Sequence, residues 1–119
     1  MIDRPKLTID THLSREQEKF MHEVLRPLLK QANERIIVLA LTFLSARKIN
    51  RSNWSQRERK LQLEKLVARD LAFKNQTLGM IIGLMNTVEF QTYLGSKRNY
   101  DKRIFGMVTE RLISQPQLI

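Results

Sequence analysis

The stretch LQLEKLVARDLAFKNQTLGMIIGLM, residues 61–85, decides how this chain folds. Its apolar positions Leu63, Leu66, Val67, Leu71, Leu78, Ile81, Ile82 and Met85 fall at steps of three, four and seven. That spacing predicts a helix with one buried stripe. Ser55 followed by Glu58 has the form of a capping box, which sets the start of the helix just upstream. Running from there to Met85, the helix is about 45 Å long at 1.5 Å per residue. The polar run Lys74-Asn75-Gln76-Thr77 is its weak point, because it interrupts the apolar spacing.

Working outward, a second segment of similar length precedes this one. Ser14 and Gln17 again have capping-box spacing, and Met21, Val24, Leu25, Leu28, Ala32, Ile36, Leu39, Ala40 and Phe43 follow at helical steps. Pro27 lies inside the pattern and is expected to kink the helix or cost it hydrogen bonds. From Ile36 to Leu44 apolar side chains surround the axis, so a second face calls for cover. Downstream, Asn86 with Glu89 predicts a short helix ending at Gly95, and Asn99 is expected to cap another short one carrying Ile104, Met107, Val108, Arg111 and Leu112. No stretch alternates in the manner of a strand. The fold class is therefore all-α: a long helical hairpin, its first helix kinked at Pro27, plus two short C-terminal helices. Residues 1–13 read as an extended arm, 14–113 as a single helical domain and 114–119 as a flexible tail. Such a hairpin covers its own apolar surface poorly, so a homodimer completing a helical bundle is expected.

Part of the opening stretch has another reading. Val67-Ala68 through Leu71, Phe73 and Gln76-Thr77-Leu78 resembles a segment of some helix-turn-helix regulators. The resemblance spans residues 67–82 and implies a turn near Ala72 to Asn75, with a recognition helix from Gln76. Ala72 stands where that turn usually has glycine. The helix itself, Leu-Gly-Met-Ile-Ile-Gly-Leu-Met, offers almost no side chain that reads a base edge.

Charge is the clearest hint at function. Twenty-one Lys and Arg against twelve Asp and Glu give the 119 residues a net charge of +9. Such a field attracts nucleic acid, acidic protein surfaces and anionic lipid alike. Two clusters concentrate it. Arg47, Lys48, Arg51, Arg57, Arg59 and Lys60 surround Trp54, a composition suited to gripping phosphates and stacking on a base, or to arginines covering a packed ring. Lys97, Arg98, Lys102 and Arg103 form the second, expected in the loop before the last helix. In a hairpin these clusters lie at opposite ends, and an antiparallel dimer brings them together. Gly79 and Gly83, four apart, invite close helix packing or a subunit contact.

Catalytic and metal chemistry find little footing. The chain has no Cys, two His (His12 and His22) and no glycine-rich phosphate loop. Glu18 and His22 could share a divalent ion with Asp10 or His12, but that set falls short of a metal signature. No nucleophile stands beside an evident base, so neither enzyme activity, cofactor, bound metal nor small-molecule substrate is expected. The first residues carry scattered charge and no apolar core, and the longest apolar run is far shorter than the roughly 20 residues of a membrane span. A cytoplasmic location follows as the expectation. The function expected is that of a small basic binding or regulatory protein acting on a macromolecular partner through surface contacts. The alternative is nucleic-acid binding through the same two basic clusters.

Overall fold

A computed structural model describes residues 14–46 and 54–115, and among these every regular element is a helix. In chain order they are α1 (Arg15–Phe20), a π-helical turn (Met21–Leu25), α2 (Arg26–Ala46), α3 (Gln56–Arg69), α4 (Leu71–Ile82), α5 (Thr87–Gly95) and α6 (Lys97–Ile113). The molecule measures 52 × 35 × 22 Å along its principal axes. The arm at 1–13 and the last residues of the tail lie outside the described residues.

Side chains at the helix starts explain where several helices begin. Ser14 Oγ accepts from the Gln17 amide while Gln17 Oε1 accepts from the Ser14 amide, a complete capping box. Asn86 and Glu89 repeat it at α5. At α3 the Ser55 hydroxyl accepts from the Glu58 amide, whereas the Glu58 carboxylate accepts from Gln62 one turn on.

Pro27 is accommodated by a π-helical turn. The Arg26 amide reaches back five residues to the Met21 carbonyl. Proline has no N–H to donate and its ring crowds the carbonyl of the preceding turn, and a turn one residue wider gives that ring room. Helical structure then continues from Arg26 to Ala46.

Two expectations are corrected. The helix expected from Ser55 to Met85 is two helices, broken at Asp70, whose φ of −84° and ψ of 104° are extended. The Asp70 carboxylate accepts from the Phe73 amide at 3.0 Å and so caps α4. Asp is among the strongest N-cap residues, and its short side chain competes with the helical ladder. The break also shifts the buried face: Leu63, Leu66 and Val67 are buried on α3, but Phe73, Thr77 and Ile81 take over on α4, and Leu71 is 68% exposed. In the same way, the last helix begins at Lys97 rather than at Asn99, and its 17 residues exceed the 14 of α3 and the 12 of α4. It is not short.

The most extensive packing sets α3 on α6 and α2 on α4. Tyr100, Ile104, Val108 and Leu112 form the buried stripe of α6, spaced by four. Phe20 packs on Tyr100 with ring centroids 4.7 Å apart, and Phe43 meets Phe73 edge to face at 5.6 Å. Among the described residues no helix is long and apolar enough to cross a membrane.

Thr77 is wholly buried and its hydroxyl has no hydrogen-bond partner. A buried unsatisfied hydroxyl costs about 1–3 kcal/mol, and valine has nearly the same shape without it. Thr77→Val should therefore stabilise the fold by about 1 kcal/mol, read as a higher urea midpoint at unchanged slope.

Candidate interaction surfaces

The first basic cluster divides. Arg47, Lys48 and Arg51 lie outside the described residues. Trp54 is half-buried and packs against the core, so it does not stand free among the cations. Arg59 is half-buried as well, and its Nη1 donates to the Ile113 carbonyl at 2.8 Å. A guanidinium at the final carbonyls of α6 meets the negative end of that helix. Arg57 and Lys60 remain exposed on the first turns of α3.

The second cluster is helical rather than looped, and it occupies the first two turns of α6. Lys97 pairs with Asp101, while Arg98, Lys102 and Arg103 are exposed. Arg103 turns Nε and Nη2 onto the buried Met21 sulfur at 3.1 and 2.9 Å. A thioether is a weak acceptor and leaves the cation's charge in place.

A knot of side chains fixes the joint between α5 and α6. The Tyr93 hydroxyl donates to Asp101 Oδ1, and Lys97 Nζ contacts Oδ2 of the same carboxylate. Tyr93 stacks between Phe90 and Tyr100, with centroids 6.2 and 6.4 Å away. From the neighbouring helix, Gln17 Nε2 donates to Ser96 Oγ at 2.9 Å. Burial, then the Asp101 hydrogen bond, pushes the Tyr93 phenol up to about 12. Burial likewise raises Tyr100, with the Glu16 carboxylate adding to it. The hydrogen bond to Asp101 raises Lys97. The two phenol shifts arise where helices pack together, whereas the Lys97–Asp101 pair lies one turn apart within α6.

The glycines are placed differently from one another. A Cβ on Gly79 would meet nothing within 4 Å, so no part of the described chain packs closely there. A Cβ on Gly83 would lie 2.9 Å from the Gly79 carbonyl, a clash with its own preceding turn. Two open grooves flank α4 at this level. Val38, Leu39 and Met80 line one of about 360 Å³ with Glu34, Arg35 and Thr42. Gly79, Ile82, Gly83, Met85 and Phe90 line another of about 340 Å³ with Asn86 and Thr87. From Asn75 to Val88 the sequence has no charged residue, and Leu84 and Val88 are exposed, Val88 to 70%.

The helix-turn-helix expectation meets a specific correction. Residues 72–75, where the turn was placed, are helical within α4, and Leu78 and Ile81 of the supposed recognition helix are half-buried and buried. The joint at Asp70 was legible as an N-cap signal but was not singled out.

Compared with family models, curated proteins and solved structures, the chain gives no match in any of the three.

Two measurements check this geometry. In urea unfolding at concentrations too low for self-association, Gly79→Ala should stabilise by up to about 1 kcal/mol, since the helix interior gains alanine without a clash. Gly83→Ala should destabilise. In an absorbance titration of the folded protein, neither phenol should ionise at its ordinary value of 10.0, and Tyr93 should wait until about 12. A phenol raised in the folded state stabilises fully below its unfolded pKa, so this contribution persists up to about pH 10 and is lost as pH climbs through about 12.

Proposed function

We propose that this chain is a non-enzymatic helical binding protein that works as a homodimer, using one surface for its own copy and another for a macromolecular partner. The observation that carries the first half is the α4–α5 edge. In a chain with 28% charged residues, the run Asn75–Val88 has none, and Leu84, Val88, Phe90 and Leu94 along or beside it are exposed. Exposed apolar patches rimmed by polar residues mark interaction sites. Two copies at +9 repel each other, and an uncharged edge lets them meet with their cations held apart. The two grooves beside α4 give a neighbouring helix a place to seat, and a second copy lying there would complete the helical bundle. The cations are concentrated elsewhere, on the first turns of α3 and along α6, which favours an anionic partner on that side.

Light scattering should give twice the 14.1 kDa chain mass at tens of micromolar. Gly79→Arg, a charge set into the uncharged edge at a position with room for it, should return the monomer mass with helical content unchanged. A monomeric parent protein would end the dimer reading.

A further inference from the structure

We infer that the edge where α6 lies along the start of α2 is a nucleic-acid phosphate-backbone site, complete within one chain. The inference rests on the surface-acting reading above and gives the partner of the basic side a chemical class. Arg26 of α2 and Arg111 of α6 line an open groove of about 270 Å³ with Met107, Glu110 and Ser114. Two turns earlier on the same face of α6 stands Arg103, against Met21. At the far end of α6, Arg59 of α3 donates to the Ile113 carbonyl, and Arg57 and Lys60 are exposed on the same first turns of α3. The described cations of the two clusters, separate in the sequence, thus lie toward the two ends of one track along α6, with Arg26, Arg103 and Arg111 between. Lys97 to Ile113 spans about 24 Å along the helix axis, and Arg103 to Arg111 about 12 Å.

Three features make this a site for an outside anion. Among the described residues no carboxylate comes within ion-pair distance of Arg26, Arg103 or Arg111. Arg103 spends two donors on a thioether and Arg111 reaches Asn33 Oδ1 at a long 3.4 Å, so both guanidiniums keep their charge unmatched. The first turn of α6 has no acidic residue, and Ser96 offers it no side-chain cap, so the positive end of the helix adds to Lys97 and Arg98.

The choice of nucleic acid over acidic protein follows from what the edge lacks. Protein interfaces centre on apolar and aromatic anchors. Among the described residues, the exposed large apolar side chains, from Val38 to Leu94, lie between the start of α2 and the end of α5, and none is on α6. Gly106, midway along the track, is exposed with nothing within 4 Å of a Cβ, so a backbone can approach the helix there. Guanidiniums bind phosphate oxygens in bidentate fashion, and contacts of this kind position a nucleic acid without reading its sequence.

The test is fluorescence anisotropy of the full chain with labelled duplex DNA, duplex RNA and single strands of one sequence. With about four phosphates engaged, affinity should fall roughly 100-fold between about 50 and about 200 mM salt. Arg26→Ala with Arg111→Ala should weaken binding at least tenfold at low salt and reduce the salt slope by about 1.8. Arg35→Ala, on the α2–α4 groove, should leave it within twofold. Glu110→Gln removes the carboxylate from the groove and should tighten binding several-fold, a gain that a misfolded variant cannot mimic. Absence of binding to every oligonucleotide at low salt overturns the inference. So does competition by polyglutamate at equal charge, or indifference to all the arginine and Glu110 changes. Light-scattering mass on the same samples separates the two readings. A dimer that ignores nucleic acid sinks this inference alone, whereas a monomer that binds through these arginines sinks the dimer alone.

Discussion

The stripe Tyr100-Ile104-Val108-Leu112 is the constraint on which the rest depends. These side chains are spaced by four, are between 0 and 2% exposed, and pack α6 against both the first helical segment and α3. Each aliphatic member buried in this way contributes about 1.5–3 kcal/mol relative to an exposed one. A helix has one such face to give. Once α6 has committed this stripe to the core, Arg98, Lys102, Arg103, Gly106 and Glu110 are left outward, so the basic character of that edge is the complement of the packing. The knot of Tyr93, Asp101 and Lys97 then fixes where α6 starts relative to α5. That is why the second cluster is presented on rigid helix rather than on a loop.

What was legible in the sequence was whatever is decided locally. Ser14 with Gln17 and Asn86 with Glu89 start their helices because a side chain three residues from an amide either reaches it or does not, whatever the rest of the fold does. The all-helical class was legible for the same reason. Asp70 is instructive because two local signals competed. The apolar spacing through Leu71 favoured continuation, whereas the carboxylate favoured a cap, and the cap prevailed, rotating the buried face to Phe73, Thr77 and Ile81 and leaving Leu71 exposed. Periodicity alone hides that rotation, since Val67 and Phe73 each fit a helix but not the same one. The candidate surfaces were half legible. The residues of the second basic cluster were identified, but Arg26 and Arg111 are isolated in sequence and become neighbours only through α2–α6 packing. For the same reason Arg59 was read as a surface cation, although its role at the Ile113 carbonyl depends on an element 54 residues away.

Three choices in this chain run against local stability, and two of them coincide with the proposed surfaces. Gly79 lies in a helix interior with room for a side chain it does not have, at a cost near 1 kcal/mol relative to alanine. Lys97 and Arg98 stand at the positive end of α6, where acidic residues would be favoured. Thr77, the third departure, is internal and has no such explanation. A sequence selected for stability alone would put alanine at Gly79 and an acid near Ser96. Keeping glycine leaves α4 bare for a second helix, and keeping cations at the start of α6 concentrates positive potential at one end of the basic track. Departures of this kind concentrate where a fold is shaped for contact. Here one falls on the uncharged edge and the other on the basic edge. The dimer contact and the phosphate contact would thus share only α2, one along Glu34 to Thr42 and the other at Arg26, more than two turns away, so one surface does not occlude the other.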